Sequence, residues 1–269
     1  MSELYEQLRD AITDERPVVL ATVIEGPNAG AKLVLDPECA DGFVSVGTLG
    51  NPGLDRVVSR DSVGELAAGR SGVRHYGPEG QANEQHVSVF VESFAPPPIM
   101  LVFGAVDFTA ALARAAKLLG FKVVVADARS MFATVKRFPM ADQVMVAWPD
   151  EVFDVYAERL GHHDAVCILT HDPKFDVPAV QRAVATEVGY IGVMGSRRTH
   201  ATRLKRLAEV GVPQQGIDRL MAPIGLDIGS RTPEETAVSV CAEIIANRTG
   251  HAAPSLRDSD GPIHRQAPT

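Results

Sequence analysis

One stretch decides the fold of this chain: IMLVFGAVDFTAALARAAKLLGFKVVVAD, residues 99–127. It contains two apolar runs, IMLVFG (99–104) and FKVVVAD (121–127), which are typical of short strands buried on both faces. Between them the segment from Ala110 to Leu119 predicts a helix that Gly120 ends. A strand, a helix and a second strand in this order predict two parallel strands joined by a right-handed crossover.

The same alternation continues towards the C-terminus. Further buried strands are predicted at QVMVAW (143–148), DAVCILTH (164–171) and YIGVMG (190–195), with helices between most of them. The last helix opens with the capping-box sequence Thr232-Pro233-Glu234-Glu235 and runs to about Asn247. Residues 99–250 are therefore predicted to form an α/β domain of Rossmann type, a parallel sheet with helices on both faces.

A smaller domain precedes it. Residues 1–95 predict a short amphipathic helix, several strands separated by Gly, Pro and Asn turns, and a helix starting at Asn51-Pro52, which together indicate an α+β domain. Three consecutive prolines (96–98) form a stiff linker between the two domains. The polar residues 251–269 are predicted to be a disordered tail.

Composition narrows the class of protein. A net charge of −8 disfavours non-specific nucleic-acid binding, although it permits a local basic site. No apolar run is long enough to cross a bilayer, and the N-terminus lacks the features of a signal peptide. Three widely spaced cysteines, Cys39, Cys167 and Cys241, do not form a disulfide framework and fit the reducing cytoplasm.

The turn after the first Rossmann strand is altered from a dinucleotide-binding pattern. Gly104 occupies the first glycine position, but Val106 stands where a second glycine lets the backbone meet a pyrophosphate. Asp107 adds repulsion towards phosphate. Asp127 ends the second strand, where a ribose-binding acid belongs. We expect a Rossmann scaffold whose nucleotide site is closed, with NAD(P) binding disfavoured by Val106.

A basic turn is the strongest candidate for ligand binding. Gly195-Ser196-Arg197-Arg198 follows a strand and opens a helix. Free amides and the positive end of the helix dipole attract anions, and two arginines can clamp one. The alternative is a solvated basic helix face, which accounts for Lys205 and Arg206.

Two further segments are weaker candidates. His171 and Asp172 lie at the carboxyl end of another predicted strand, with Asp176 four residues further on. They could act in acid–base chemistry or bind a metal, although Asp172 could equally cap a helix. The loop 222–231, which contains Asp227 and Arg231, suggests a shaped wall of a site.

Taken together, these runs resemble the XdhC/CoxI family, accessory proteins for xanthine dehydrogenase and carbon monoxide dehydrogenase. The similarity lies in several separate motifs that occur in the expected order: Asp127-Ala128-Arg129 with Phe132-Ala133, Leu169-Thr170-His171-Asp172, Tyr190-Ile191-Gly192 with Gly195-Ser196-Arg197-Arg198, and the run from Pro223 through Gly229 to Arg231 and Glu235. Ala21-Thr22-Val23 and Gly30-Ala31-Lys32 extend the resemblance to the N-terminal region.

The resemblance implies a cytoplasmic maturation factor rather than a catalyst. It implies transient binding of molybdenum cofactor (molybdopterin), help with its sulfuration, and insertion into a molybdenum hydroxylase client. It implies a homodimer, with a cysteine desulfurase as a further partner. Cofactor-binding residues would be Gly104, Asp127, Arg129, His171, Asp172, Gly195, Ser196, Arg197, Arg198, Asp227 and Arg231; no catalytic residue and no metal ligand is assigned.

The chain departs from the family pattern at two places. The family's Ser-Gly-Gly-Cys signature falls at Val46-Gly47-Thr48-Leu49, so its cysteine is missing, and the Gly-Ala-Gly-His turn has become Gly104-Ala105-Val106-Asp107. Two alternatives therefore stay open. One is an NAD(P)-dependent oxidoreductase, favoured by the strand order and Asp127; the other is a non-catalytic scaffold that has lost its cofactor chemistry.

Overall fold

A computed structural model of the chain describes residues 3–39, 42–67, 69–81 and 86–258. It divides into two compact units, Met1–Pro96 and Pro97–Thr269. Most of the predicted disordered tail, residues 259–269, lies outside the described residues. The described part of the tail contains one 3₁₀ turn, Leu256–Asp258.

The first unit is an antiparallel sheet with a helix on each face. Its strands lie in the order β3-β2-β1-β5-β4. Val19 and Ala21 of β1 pack in the cluster that contains Leu54 of α2, whereas Val18 packs with Ala11 of α1. Alternate residues of one strand thus cover opposite faces. The elements are α1 (Glu3–Thr13), β1 (Val18–Glu25), β2 (Lys32–Cys39), β3 (Gly42–Thr48), α2 (Pro52–Ala67), β4 (Gly72–Tyr76) and β5 (Val87–Phe94).

The second unit is built on six parallel strands in the order β11-β10-β9-β6-β7-β8. This is the strand order of a Rossmann sheet, and its direction of winding reverses between β6 and β9. The elements are β6 (Ile99–Phe103), α3 (Asp107–Leu118), β7 (Lys122–Ala126), β8 (Gln143–Met145), α4 (Pro149–Tyr156), β9 (Ala165–Ile168), α5 (Pro173–Val184), β10 (Tyr190–Val193), α6 (Arg197–Glu209), α7 (Gln214–Ile217), β11 (Leu220–Met221) and α8 (Pro233–Thr249).

Helices cover both faces of this sheet, as predicted. Met100 and Val102 of β6 pack in the cluster formed with α3 and α8, whereas Leu101 and Phe103 pack in the cluster formed with α4, α5 and α6. Every residue of β6 is buried. Burial on both faces explains why this strand is a continuous apolar run.

The predicted elements differ from the observed ones mainly at their ends. α3 begins at Asp107 rather than Ala110, because the Thr109 hydroxyl is within 3.4 Å of the Val106 amide and caps an earlier first turn. β8 ends at Met145 rather than at 148. β11 was not predicted, since two residues are too few to show a period.

Candidate functional site

The carboxyl ends of the parallel strands carry every predicted site residue. Gly104 follows β6, Asp127 follows β7, and His171 follows β9. The Gly195 turn follows β10, and the loop 222–231 follows β11. Since parallel strands end at one edge of the sheet, the fold places these segments along the edge where open α/β sheets bind ligands.

A small cleft opens at the point where the strand order reverses. The space between its lining atoms is about 240 Å³, a volume that includes open solvent. Seven of its lining residues are apolar or glycine, and Asp127 and Thr170 are polar. The full lining is Phe103, Gly104, Ala126, Asp127, Ala128, Ala147, Pro149, Thr170 and Phe175. Of the predicted site residues, the cleft therefore brings together only Gly104 and Asp127.

The turn between β6 and α3 uses its own polar groups. The Ala105 amide donates to Asp127 Oδ2 at 2.9 Å, and the Val106 amide is directed to Thr109 Oγ1 at 3.4 Å. The Thr109 hydroxyl in turn donates to the Gly104 carbonyl. Because these amides already have acceptors, the turn has few free donors for a pyrophosphate. Gly104 itself has φ +108°, and a Cβ there would lie 3.1 Å from the Thr170 nitrogen.

Asp127 is a brace between two turns. Both its oxygens accept hydrogen bonds: Oδ1 from the backbone amide and Nε of Arg129, each at 2.9 Å, and Oδ2 from the Ala105 amide and from Arg129 Nη2 at 2.7 Å. Burial alone would raise the pKa of Asp127, but the Arg129 guanidinium and the backbone amides of Ala105 and Arg129 hold that pKa below its ordinary value. A ribose hydroxyl would have to displace one of these donors.

An aromatic pair borders the cleft. The Trp148 ring stacks on the Phe175 ring with 4.5 Å between centroids and 16° between planes. Phe175 lines the cleft, while Trp148, the only tryptophan of the chain, remains 47% exposed. This arrangement offers a flat apolar surface on which a planar ring could stack.

His171 and Asp172 lie beside the cleft, and both are exposed. Asp172 is the N-cap of α5 and accepts from the Lys174 amide at 3.0 Å, so the capping alternative describes its observed contact. Asp176 does not join them. It is buried in α5 and belongs to a different interaction, which excludes the predicted grouping of His171, Asp172 and Asp176.

The turn between β10 and α6 is open to solvent. Gly195 has φ +146°, a conformation that favours glycine. Ser196 caps α6 by accepting from the Thr199 amide at 3.1 Å. Arg197 and Arg198 are exposed, and within the described part of the chain neither guanidinium forms a hydrogen bond or ion pair. Two unpaired cations therefore accompany the positive end of a 13-residue helix.

A buried ion pair, which the sequence did not reveal, lies beneath this open turn. Arg203 of α6 is 2% exposed; its Nε donates to Asp176 Oδ2 at 3.1 Å and its Nη2 to the Met194 carbonyl at 2.9 Å. A Cβ on Gly195 would lie 3.5 Å from that Nη2. The expected solvated basic face thus has an exception at Arg203. A buried partner on a different helix was not visible in the helical pattern.

Three buried polar atoms remain without partners in the same place. They are Asp176 Oδ1, Arg203 Nη1 and His200 Nδ1. Burial, followed by the nearby Arg203 charge, lowers the pKa of His200. Because unpaired buried groups are costly, the region beneath the turn is prepared to accept a further polar partner.

The loop 222–231 is held in a defined shape by α8. The Gly225 amide donates to Glu243 at 2.8 Å, and Ser239 donates to the Leu226 carbonyl at 2.6 Å. Asp227 and Arg231 are exposed and do not line the cleft.

Neither described thiol is suited to nucleophilic chemistry. Burial raises the pKa of Cys167, and it raises that of Cys241 to about 11. Leu49 occupies the position at which the Ser-Gly-Gly-Cys signature of the XdhC/CoxI family has its cysteine, and it is buried in the core of the first unit. The side chain of Cys39 lies outside the described ones.

Among the residues that the structure describes, no three His, Cys, Asp or Glu side chains are grouped as a metal site would require, and no helix is long and apolar enough to span a membrane.

Comparison with known proteins identifies related sequences for both units. The model of the XdhC Rossmann domain matches residues 100–244, and that of the XdhC and CoxI family matches residues 11–77. The chain is 35% identical over 165 residues to a protein of Bacillus subtilis (strain 168) whose name describes it as a probable subunit of xanthine dehydrogenase. That match covers 61% of this chain and 47% of the relative.

Two further similarities are informative. The chain is 30% identical over 105 residues to the "Molybdenum cofactor insertion chaperone PaoD" of Escherichia coli (strain K12), covering 38% of this chain and 33% of that one. It therefore spans less than half the length of either curated relative. A crystal structure described as a xanthine dehydrogenase from Bacillus halodurans superposes with a TM-score of 0.55 over 95% of this chain and 98% of the other, at 22% identity, which supports the fold.

Proposed function

The chain belongs to the XdhC and CoxI family, and on that premise we propose that it is an accessory protein of molybdenum-enzyme maturation. It binds molybdenum cofactor transiently, keeps it available for sulfuration, and assists its insertion into a hydroxylase of the xanthine or carbon monoxide dehydrogenase type. The client and the cofactor are inferred from the names of relatives, each of which is longer than the matched region.

The observation that carries this proposal is the open turn at the start of α6. Molybdopterin has a phosphate, and the first-turn amides of a helix are donors without intrahelical acceptors. Arg197 and Arg198 are exposed cations beside those amides, of which that of Thr199 already donates to Ser196, and neither guanidinium has a partner among the described residues. These donors suit a phosphate, and they stand out in a chain with a net charge of −8.

The cleft supports a place for the pterin ring. It lies at the ends of β6, β7 and β9, and β9 is hydrogen-bonded to β10, so the phosphate turn follows the neighbouring strand. Neighbouring strands lie about 5 Å apart, so the places proposed for the phosphate and for the ring follow adjacent strands. The exposed Trp148 face and Phe175 suit a planar heterocycle. In this arrangement the protein holds the organic part of the cofactor, whose metal supplies the redox chemistry only in the client.

Sulfur transfer is proposed to depend on a partner. Leu49 replaces the family's cysteine, and the thiols of Cys167 and Cys241 are buried with raised pKa values, so neither is a ready nucleophile. The chain's own role would then be to hold and orient the cofactor while a cysteine desulfurase provides the sulfur.

The proposal is tested by what the protein carries. The full chain is purified from a host that makes molybdenum cofactor and, in parallel, from one that cannot. The pterin is then oxidised and its fluorescence measured. We expect pterin only in the first preparation, and we expect that preparation to activate a cofactor-free hydroxylase. Absence of pterin, together with no association with the hydroxylase, would overturn the proposal.

An NAD(P)-dependent oxidoreductase is the second candidate, favoured by the Rossmann strand order. Its phosphate turn is the one whose amides are occupied by Asp127 and Thr109. Calorimetry decides between the two: micromolar NAD(P) affinity would establish this candidate, and no heat at millimolar cofactor would remove it.

A further inference from the structure

Two exposed apolar side chains, here called the ridge, follow a residue that lines the cleft. Its members are Met131 and Val135, 80% and 70% exposed, in the segment that leaves the carboxyl end of β7. Ala128, three residues before Met131, lines the cleft itself. The ridge thus belongs to the segment that continues directly from the cleft wall.

Buried neighbours and backbone hydrogen bonds fix the segment that carries the ridge. Ala133 and Phe138, from the same segment, are buried in the core. Between them the Arg137 and Phe138 amides both donate to the Thr134 carbonyl, at 3.0 and 3.1 Å. Inward anchors alternate with outward Met131 and Val135, so these two side chains are presented by an ordered backbone.

Two arginines pack against Phe132, which lies in the same segment as Met131 and Val135. The Phe132 ring lies under the guanidinium carbons of Arg129, 4.6 Å from the ring centroid, and Arg137, 5.6 Å from it. Arg137 also donates to the carbonyls of Ala105 and Phe132, at 3.0 and 3.2 Å. The ridge is therefore tied directly to the closed turn after β6, and through Asp127 and Arg129 to the cleft wall.

The charge of the segment indicates the partner's chemistry. Residues 128–141 contain three cations, Arg129, Lys136 and Arg137, and no acid, in a chain whose net charge is −8. Arg129 is offset by Asp127, and Arg137 lies 3.6 Å from Asp107. Lys136 is exposed and has no partner among the described residues. The exposed Lys136 therefore attracts an acidic partner surface in a chain that is acidic in total.

We propose that the ridge of Met131 and Val135, with Lys136 at its edge, is the surface on which the client molybdenum enzyme docks. The inference rests on the proposed function and adds the place of contact. The partner's matching surface is an apolar pocket bordered by carboxylates. Methionine adapts its shape to such pockets, and exposed apolar side chains beside a functional site mark contact surfaces. Docking at this place covers the cleft mouth, so the cofactor passes to the client without crossing bulk water.

The test separates docking from cofactor binding. The double variant Met131→Asp/Val135→Asp is compared with wild type for two quantities: pterin content after purification, and affinity for the source organism's molybdenum hydroxylase prepared cofactor-free. Both residues are exposed, so the fold should be retained. We expect unchanged pterin content and hydroxylase binding weakened about 10-fold or more. Lys136→Glu should weaken binding less, and its effect should shrink as salt is added.

Leu118→Asp is the matched control. Leu118 is 89% exposed at the end of α3, which runs back to the opposite edge of the sheet. It should leave hydroxylase binding unchanged. Equal binding by the ridge variant and wild type, or equal loss in the Leu118 control, would overturn the docking surface. So would a shift from dimer to monomer in the ridge variant, because a second copy would then cover the ridge. Wild-type protein without pterin would instead count against the proposed function.

Discussion

The turn after β6 and the turn after β10 are two versions of one local design. In each, a glycine with positive φ comes after a buried strand and shortly before a helix. After β6 the amides of Ala105 and Val106 are directed to Asp127 and Thr109. After β10 the helix begins beside two exposed arginines without described partners. The two turns therefore differ in the amides that precede the helix and in the exposed arginines, and both differences favour an anion at the turn after β10.

The two turns also differ in what lies beneath them. The closed turn rests on the brace formed by Asp127 and Arg129, whose carboxylate is fully engaged. The open turn rests on Asp176 and Arg203, each of which keeps one buried polar atom without a partner. Both oxygens of Asp127 have hydrogen-bond partners, whereas Asp176 Oδ1 and Arg203 Nη1 can each still form a hydrogen bond. Substitutions in each turn test this contrast.

The largest effect is expected from the buried base of the open turn. Arg203→Met leaves the Asp176 carboxylate buried without its cation, which should lower the free energy of unfolding by about 3–5 kcal/mol. Urea denaturation measures this loss. Arg206→Met, on the exposed face of the same helix, is the control and should change stability by less than about 0.5 kcal/mol. Similar small losses in both variants would show that the pair does not support the turn.

The second prediction removes the cations of the open turn. Arg197→Ala/Arg198→Ala should weaken molybdopterin binding about 100-fold, since a hydrogen bond to a charged group contributes about 1.5–3 kcal/mol. Anaerobic titration with purified molybdopterin measures the affinity. Lys205→Ala/Arg206→Ala removes the same charge from the same helix and should have little effect. If both pairs weaken binding equally, general attraction explains it; if neither does, a scaffold role is favoured.

The third prediction concerns the closed turn. Asp127→Asn places an amide group against donors from Ala105 and Arg129, and should lower the free energy of unfolding by about 1–3 kcal/mol. Arg129 is half exposed, so solvent screening favours the lower end of this range.

The same variant has a defined pH dependence. The pKa of Asp127 is lower in the folded state, so its stabilisation is complete above its unfolded pKa of about 3.9 and is lost as pH falls through the folded pKa. The stability difference between wild type and Asp127→Asn should therefore be full at neutral pH and shrink in acid. A stability difference between the two proteins that stays constant from neutral to acidic pH would contradict stabilisation by the Asp127 carboxylate.

The smallest effect is expected from Val106→Gly. It restores the second glycine of a dinucleotide turn, but the Ala105 amide still donates to Asp127. Glycine is acceptable at an N-cap, so stability should hardly change. We expect no NAD(P) binding at millimolar concentration by calorimetry. Micromolar affinity in this variant would mean that the valine side chain alone closes the turn.

Local sequence pattern was enough to predict the fold of the second unit and the edge that carries its candidate site. Buried strands are continuous apolar runs, and the apolar residues of a helix recur about every 3.6 residues. Strands β6 to β10 and most of the helices between them could therefore be predicted from the sequence. Right-handed crossovers then place the polar residues that follow the strands at one edge. Gly195, Ser196, Arg197 and Arg198 were found in this way, because motif and helix start are adjacent in the chain.

Which turn is open depends on contacts that form only when the chain folds. The acceptor of the Ala105 amide is 22 residues away, and the partner of Asp176 is 27 residues away on another helix. Such contacts leave no periodic trace, so Arg203 looked like one more residue of a basic helix face. The exposure of Met131 and Val135 was equally hidden, because the packing of Ala133 and Phe138 into the core sets the direction of their neighbours. Local pattern places residues along the chain, whereas the satisfaction of buried polar groups depends on what folding brings together.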